Sequence, residues 1–406
     1  MAVLKLRFKE FEGDWNLSSL ANISSIITGN TPSTSNREYY DGEFLFVSPV
    51  DIQENRYIEK TKTTLTANGF SKCRHIPENS VLFVCIGSTI GKVAQNKVIC
   101  ATNQQINAVI PKKGYSSDFL YLQLERLAPN IKLNAGVQAV PLINKTEFGK
   151  TLLNTPTFIE QTKIASFLSA VDEKISQLTQ KHQLLSRYKQ GMMQKLFSQQ
   201  IRFKADDGSE FGEWKTEKIG NVTETIFGYP FDSKDMVEDN NGIPLMRGIN
   251  IGERHIRHSA ELDRFFMKNI SKLQKYLVKE NDIVLSMDGS KVGRNAAFVS
   301  QKDANSLLVQ RVCILRENTF SNIQYIYQWI ISIYFHKYVD QVKTSSGIPH
   351  ISGKQIQEYE IHYPCLEEQT KIANFLSAID KKINVVSGQL EQAKLWKKGL
   401  LQQMFV

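Results

Sequence analysis

The sequence predicts an α+β protein made of two related modules, each a mixed α/β domain followed by a long helix. Residues 159–175 recur as residues 367–383, with 13 of 17 positions identical at an offset of 208. Apolar residues in both copies follow a 3-4 spacing. The stretches before each copy contain short β-prone runs separated by Gly, Asn, Ser and Pro. A repeat of half the chain length predicts two like modules and a pseudo-symmetric molecule.

Each copy of the repeat predicts a long helix, over residues 159–200 and 367–406. The apolar spacing continues for about five heptads, which is typical of a coiled coil. At 1.5 Å per residue, each helix would be roughly 50–60 Å long. We expect the helices to pack on each other as an antiparallel coiled coil; the alternative is that each is a core helix of its own domain. The seam positions are Ile164, Leu168, Val171, Ile175, Ile372, Leu376, Ile379 and Ile383.

Polar and small residues interrupt both helices at equivalent positions. Lys189 and Lys397 occupy the seams, where a polar side chain can set the register. Gly191 and Gly399 cost about 1 kcal/mol each against alanine inside a helix. Their repetition predicts a close contact, either between the two helices or with a partner protein.

The remaining residues form two diverged modules, 1–158 and 201–366. The clearest matching strings are 78–92 and 280–294, which both contain Gly-Ser-x-(Ile/Val)-Gly-(Lys/Arg). The framework repeats while many loop residues differ. This pattern favours two readers of different targets on one scaffold.

Composition indicates an ordinary globular protein with a polyanionic partner. The 406 residues carry a formal net charge of +9. Residues 1–158 hold 17 basic and 13 acidic groups, whereas residues 201–366 hold 21 of each. The five cysteines show no CxxC spacing, and no apolar run approaches the ~20 residues of a membrane span. We therefore expect a cytoplasmic protein with no membrane association and no metal site.

The repeated Gly-Ser string is the sharpest local motif. Its glycines suit a tight turn, and backbone N–H groups with Lys92 or Arg294 could meet a phosphate. Asn103, Gln104, Gln105, Gln310 and Arg311 are of the types that bond base edges. For the Gly-Ser string, the alternative is a turn that makes no phosphate contact. For the Asn, Gln and Arg residues, the alternative is hydrogen bonding within a loop. The other candidate DNA contacts are Thr31, Ser33, Arg37, Ser88, Asn134, Gln138, Tyr229, Lys234, Arg247, Asn250, Ser290, Lys291, Ser345, Ser346 and His350.

Enzyme motifs are missing from the sequence. It has no GxGxxG after a strand, no HExxH and no Gly-x-Ser-x-Gly elbow. The Gly-Ser string is not a Walker loop, because its glycines are too close and Val93 or Asn295 follows the basic residue. We expect no catalytic residue in this chain.

Taken together, the repeated strings resemble those of the specificity subunit of bacterial type I restriction–modification systems. Arg7-Phe8-Lys9 with Trp15 returns as Arg202-Phe203-Lys204 with Trp214. Gln-Thr-Lys-Ile-Ala-x-Phe-Leu-Ser-Ala-x-Asp occurs twice, and Lys-x-Gly-x-x-Gln-x-x-Phe ends each helix. The resemblance covers the whole chain.

The resemblance implies a non-catalytic DNA-recognition subunit. Two target recognition domains would each read one half of a bipartite, asymmetric site on double-stranded DNA. The antiparallel helices would set the spacing and dock two modification subunits. Adenine methylation with S-adenosylmethionine, and ATP- and Mg-dependent translocation and cleavage by restriction subunits, would lie on those partners. The family's recognition loops vary, so no base-reading residue is implied by the resemblance.

Two other functions are alternatives to a DNA-recognition subunit. A stand-alone DNA methyltransferase or nuclease would need a cofactor or metal motif. A purely structural coiled-coil scaffold would not need two modules of roughly 150 residues, which is the size of an independent domain.

Overall fold

A computed structural model describes residues 6–53, 55–135, 141–344 and 347–405. The chain divides into two units. Unit 1 comprises the residues up to His182 together with those from Val386 onward, and unit 2 is Gln183–Val385. The division falls inside the two long helices rather than at their ends, where the sequence suggested domain boundaries. Each long helix therefore contributes one part to each unit.

Unit 1 is a mixed domain that ends in the first long helix. Its elements in chain order are β1 (Asn16–Ser19), α1 (Leu20–Ile23), β2 (Ser24–Thr28), β3 (Tyr40–Val47), β4 (Tyr57–Ile58), β5 (Thr63–Leu65), α2 (Ala67–Ser71), β6 (Val81–Val84), β7 (Val93–Asn96), β8 (Ala101–Thr102), β9 (Ile106–Pro111), α3 (Ser117–Leu133), α4 (Lys145–Gly149), β10 (Leu152–Thr155) and the first part of α5 (Phe158–Phe197).

Unit 2 repeats this order with small differences. Its elements are β11 (Lys215–Lys218), α6 (Ile219–Val222), β12 (Glu224–Phe227), β13 (Ile243–Met246), β14 (Phe265–Phe266), β15 (Ile283–Ser286), β16 (Ala296–Phe298), β17 (Leu307–Leu308), β18 (Val312–Arg316), α7 (Ile323–Ile330), α8 (Ile333–Val342), α9 (Gly353–Gln357), β19 (Glu360–Tyr363) and the first part of α10 (Leu366–Met404).

The sheets of the two units correspond strand by strand. The order β2-β9-β6-β7-β4 in unit 1 matches β12-β18-β15-β16 in unit 2, and only the edge strand β4 is extra. The order β5-β3-β8 matches β14-β13-β17, and each contains one parallel pair. The antiparallel pair β1-β10 matches β11-β19. The predicted α+β fold with two pseudo-symmetric modules is confirmed.

The helix seams are buried within each unit. In unit 1, Ile164, Leu168 and Val171 of α5 join one apolar core with Leu400 and Met404 of α10. In unit 2 the roles are exchanged, because residues 372–383 of α10 join one core with Met193, Leu196 and Phe197 of α5. In both units the start of one helix thus shares a core with the end of the other, as an antiparallel coiled coil requires.

The cores that hold the seams also contain residues of the mixed domains, such as Phe119 in unit 1 and Trp329 in unit 2. The helix ends make ring contacts with the same residues. Phe197 stacks on Trp329 of α7 with ring centroids 4.0 Å apart, and Phe119 of α3 contacts Phe405 at 5.4 Å. The two predicted arrangements are therefore compatible. The seam residues pack between the two helices and also belong to the cores of the mixed domains.

The observed helix bounds are close to those predicted. α5 begins at Phe158 and α10 at Leu366, two residues after Pro156 and Pro364. They end at Phe197 and Met404 rather than at 200 and 406. None of the helices in the described residues combines the length and apolar character needed to cross a bilayer.

Buried polar residues fix the start of α5 in unit 1. Glu160 is 1% exposed and accepts hydrogen bonds from Nε and Nη2 of Arg7, both at 2.8 Å. The Gln161 amide donates to the carbonyl of Pro156 at 2.8 Å and accepts from the amide of Ser116 at 2.9 Å. These bonds tie the chain start, the start of α5 and the start of α3 together.

The same bonds recur at the start of α10 in unit 2. Glu368 is fully buried and accepts from Arg202 at 3.1 and 2.7 Å and from the Trp214 indole at 2.8 Å. Gln369 bonds the carbonyl of Pro364 at 2.9 Å and the amide of Asn322 at 2.9 Å. The repeated Glu-Gln pair is therefore a structural feature, since a buried carboxylate needs charge-assisted donors.

Candidate nucleic-acid interface

Three segments meet in unit 1, and two of them, the Gly-Ser string and residues 103–105, are candidates from the sequence. The amide of Cys85, at the end of β6, donates to the carbonyl of Gln105 at 2.8 Å. The amide of Gly87 donates to the carbonyl of Pro141 at 2.9 Å. Gln104 is exposed, and its amide oxygen accepts from Thr31 at 2.7 Å. The Gly-Ser turn, the 103–105 loop and the segment from Pro141 thus form one surface.

Unit 2 builds the same surface with different side chains. The amide of Met287 donates to the carbonyl of Arg311 at 2.9 Å, and that of Gly289 donates to Pro349 at 3.0 Å. The amide of Gln310 donates to the carbonyl of Tyr229 at 2.8 Å. These bonds place Arg311 where unit 1 has Gln105. Framework bonds are retained while the exposed side chains change.

The Gly-Ser strings form tight turns between antiparallel strands. Gly87 and Gly91 both have φ of 94°, and Gly289 and Gly293 have φ of 98° and 79°. Such left-handed backbone conformations favour glycine. The predicted turn geometry is confirmed. Ser88 and Ser290 lie exposed on these turns.

The cations of the two turns are engaged by protein atoms. The ammonium of Lys92 donates to the carbonyl of Ile52 at 2.8 Å. Arg294 pairs with Asp340 at 2.5 Å, which lowers the pKa of that carboxyl. Lys291 pairs with Glu253 at 2.9 Å. Phosphate contact by these groups would require exchange of partners.

Arg311 combines exposure with an unusual backbone. Its side chain is 58% exposed, and its guanidinium lies 3.1 Å from a carboxylate oxygen of Asp288. Its φ is 65°, a left-handed conformation that is uncommon for a residue with a long side chain. Such conformations occur preferentially at functional sites. The residue type alone pointed to base contact, but the sequence did not show the conformation.

Several candidates are engaged in loop structure. Asn250 is 2% exposed; its amide bonds Arg247, Arg257 and Asp263, so it builds the loop and presents no free edge. Asn103 and Gln105 bond each other at 2.9 Å. The guanidinium of Arg247 donates to the carbonyl of Leu262 at 3.3 Å.

The remaining candidates are dispersed over the two units. Ser33 and Arg37 are exposed before β3, and Asn134 is exposed at the end of α3. Lys234 lies 3.5 Å from Asp232. His350 is partly exposed and pairs with Asp288 by a backbone bridge. Gln138, Ser345 and Ser346 lie outside the described residues.

Sequence reasoning missed one histidine that lies between two carboxylates and an exposed pair of aromatic residues. His258 lies 3.2 Å from Asp263 and 2.8 Å from Asp303 in unit 2. Tyr188 and Trp396 are 52% and 55% exposed at equivalent positions of α5 and α10. Their repetition at an offset of 208 was available in the sequence as a signal. Across the described ranges, no group of three His, Cys, Asp or Glu side chains could hold a metal ion.

The seam residues and glycines proposed for partner docking differ in exposure. Most seam residues are buried, and Ile175 is partly exposed, so they form cores rather than an outer surface. Apart from its chain neighbours and its own helix backbone, a Cβ added at Gly191 or Gly399 would meet no described atom within 4 Å. Of the two alternatives, a close helix–helix contact at these glycines is therefore not observed. Contact with a partner protein stays a prediction.

Comparison with known proteins gives one family. Residues 12–187 and 212–395 match the type I restriction modification DNA specificity domain. The MjaVIII specificity subunit of Methanocaldococcus jannaschii is 24% identical over 97% of this chain and 94% of its own length. The HindI specificity subunit of Haemophilus influenzae is 33% identical over 37% of this chain and 35% of its own length.

Solved structures share the fold. The S subunit of a type I restriction-modification system from M. genitalium superposes with a TM-score of 0.67 at 15% identity, covering 100% of this chain and 99% of that one. A chain from a study of complex assembly in the type I R-M system gives 0.53 at 16% identity, with 98% of both chains covered. With two matched domains on two corresponding units, the chain belongs to the type I restriction modification DNA specificity family.

Proposed function

We propose that this chain reads a bipartite, asymmetric DNA site as the specificity subunit of a type I restriction–modification complex. Unit 1 reads one half-site and unit 2 reads the other. The observation that supports this is the pair of corresponding surfaces, in which the same backbone bonds hold Gln105 in one unit and Arg311 in the other. Arg suits a guanine edge and Gln an adenine edge. Gln105 would exchange its bond to Asn103 for such a contact.

The charge pattern of unit 2 fits a reader whose affinity comes partly from partners. Three of its candidate cations pair with acids: Lys291 with Glu253, Arg294 with Asp340, and Arg311 with Asp288. Phosphate contacts supply much of the affinity of DNA-binding proteins. We propose that two modification subunits supply the missing phosphate contacts by closing on the duplex.

The chemistry is assigned to partner subunits. S-adenosylmethionine would be bound by the modification subunits, and ATP and Mg by the restriction subunits. This chain would contribute recognition, and the two long helices would set the gap between half-sites and dock the modification subunits. The complex would act in the cytoplasm, where the DNA lies.

Sequencing of methylated adenines tests the proposal. The chain is co-expressed with a type I modification subunit, and an otherwise identical strain lacks the chain. We expect a new split motif with two short half-sites around a fixed gap. Absence of new methylation from an assembled complex, whose modification subunit is active with another specificity subunit, would overturn it.

A further inference from the structure

An exposed tyrosine borders the candidate base readers of unit 2. Tyr229 follows β12 and is 37% exposed. Its carbonyl accepts from the amide of Gln310 at 2.8 Å, and its own amide donates to the carbonyl of Leu308 at 2.9 Å. Gln310 and Arg311 lie exposed between β17 and β18. Because these backbone bonds hold Tyr229 beside Gln310, the tyrosine ring borders the same surface as the side chains of Gln310 and Arg311.

Two aromatic rings fix the position of Tyr229. Its ring meets the ring of Phe231 edge to face with centroids 5.0 Å apart, and its centroid lies 5.3 Å from that of Tyr276. Phe231 is buried in one apolar core with Leu245 and Leu307, against which Tyr276 also packs. Tyr229 therefore presents a rigid apolar surface to solvent, since rings packed in this way lose their rotational freedom to neighbours in the core.

Unit 1 has Asn30 at the position of Tyr229. In both units the preceding glycine donates its amide proton to the first residue of the matching strand, β9 at 3.1 Å and β18 at 3.0 Å. The Asn30 side chain is used within its loop, because it donates to the carbonyl of Lys72 at 2.9 Å and accepts from the amide of Arg74 at 2.8 Å. An exposed ring at this position is therefore a feature of unit 2 and not of unit 1.

The base edges of the major groove offer one apolar group to such a ring. That group is the 5-methyl group of thymine, whereas the other distinguishing groups are hydrogen-bond donors and acceptors. A ring beside a candidate guanine reader is therefore complementary to a thymine. Insertion between two base pairs would need both faces of the ring to be free, but Phe231 and Tyr276 cover part of Tyr229. Contact with a base edge remains as the mode that this packing permits.

We propose that Tyr229 selects a T·A base pair in the half-site of unit 2, by van der Waals contact between its ring and the 5-methyl group of the thymine. This inference rests on the proposed function and names one base pair that the site distinguishes. The thymine lies in the same half-site as the guanine that Arg311 contacts. Unit 1, with Asn30 engaged in its loop, makes no corresponding methyl contact from this position.

Deoxyuridine tests this contact, because it lacks the 5-methyl group and keeps the hydrogen-bonding groups of thymine. The full chain is assembled with the modification subunit, its methylated motif is mapped, and each thymine of the motif is replaced in turn in a binding competition. We expect one replacement, in the half-site whose recognition R311Q alters, to weaken binding about fourfold. This is the effect of exposing one methyl group at about 0.8 kcal/mol. If no thymine of that half-site is sensitive, the inference is overturned.

Variants of Tyr229 assign the methyl effect to its ring. Y229A should bind the thymine and deoxyuridine duplexes equally, whereas Y229F retains the ring and should keep the fourfold ratio. Y334A is the matched control, because Tyr334 of α8 is also 37% exposed and packs against two aromatic rings. It should keep the ratio as well. If Y229A weakens binding of both duplexes but keeps their ratio, the ring only supports the loop, and the inference is overturned.

The same experiment separates this inference from the proposed function. If the complex methylates a split motif and Y229A leaves the ratio unchanged, the inference fails while recognition of a bipartite site stands. A sensitive thymine in the other half-site alone would also overturn the inference and leave the proposed function intact. If an assembled complex with an active modification subunit methylates no motif, the proposed function and this inference fail together.

Discussion

Lys189 donates to both carboxylate oxygens of Asp380 at 2.7 Å, and its side chain is only 3% exposed. The equivalent pair in unit 1 is Lys397 with Asp172 at 2.8 Å, where Glu125 adds a second carboxylate at 2.8 Å. Burial lowers the pKa of Lys189 to about 8, although Asp380 opposes the shift. Burial also disfavours charged Lys397, but its two carboxylates outweigh it and raise the pKa.

Loss of Lys189 should destabilise unit 2. K189M leaves Asp380 with Gln328 alone as a donor at 3.0 Å. Because Asp380 is 24% exposed, we expect a loss of about 2–3 kcal/mol, below the 3–5 kcal/mol of a fully buried broken pair. Urea unfolding followed by Trp fluorescence measures it. The double variant K189M/D380L should recover most of the loss; no recovery would mean that the pair itself is not the cause.

Alkaline pH should distinguish the two lysines. The folded pKa of Lys189 lies below its ordinary value of 10.5, so the unfolded chain binds more protons between about pH 8 and that value. Stability contributed by Lys189 therefore rises with pH through this window. The unfolding midpoint of the wild type relative to K189M should increase from about pH 7.5 to about pH 10. A constant difference would contradict this assignment.

Lys397 should behave in the opposite sense. Its folded pKa is raised, so its contribution is fully present below the ordinary value of 10.5 and is lost as the pH rises through the folded pKa. K397M should therefore cost most at neutral pH, because it leaves Glu125 facing Asp172. Unfolding midpoints of K397M and the wild type should converge only at the alkaline end. Convergence near pH 8 would indicate that Glu125 and Asp172 do not raise the pKa of Lys397.

The buried Glu368 should matter more than its exposed neighbour. E368Q removes the negative charge of the carboxylate to which Arg202 and Trp214 donate hydrogen bonds. Hydrogen bonds to a charged group contribute about 1.5–3 kcal/mol to stability. We expect a destabilisation of that size in urea unfolding. The control E367Q alters an exposed residue and should change stability by less than about 0.5 kcal/mol. Equal effects of the two substitutions would contradict the buried-carboxylate account.

Arg311 should govern only one half of the DNA target. R311Q should weaken binding of the assembled complex to its site by about 1–3 kcal/mol, the range for one bidentate base contact. Competition with duplexes altered in either half-site identifies the half involved. The exposed Lys302 supplies the control, K302Q, which should bind normally. If R311Q weakened binding equally for all DNA sequences and reduced the dependence of affinity on salt concentration, Arg311 would contact a phosphate instead.

The sequence was most informative where the same residues appear twice. The offset of 208 predicted two modules, and the heptad spacing predicted both helices to within three residues of their observed bounds. The sequence was less informative about contacts between residues that are distant in the chain. Gly191 was predicted to allow a close contact, but open space lies beside it. The burial of a polar residue likewise depends on partners elsewhere in the chain, so residue type alone does not reveal it.

Asn250 and Arg311 show the same limit within the candidate interface. Both are typical base-reading residue types in loops, yet Asn250 is buried by bonds to residues up to 13 positions away, and Arg311 is exposed. A single sequence contains no signal that separates them. The repeated Glu160-Gln161 pair, by contrast, was visible as a motif, but its role required the positions of Arg7 and Ser116.

Exchange of one module tests the central claim that two independent readers share one chain. Residues 201–366 are replaced by the corresponding segment of a specificity subunit with a known target, and methylated adenines are sequenced from cells carrying the chimera and a modification subunit. The account predicts that one half-site changes to that of the donor while the other half-site and the gap are retained. A change in both half-sites, or in neither, from an assembled and methylating complex would contradict it.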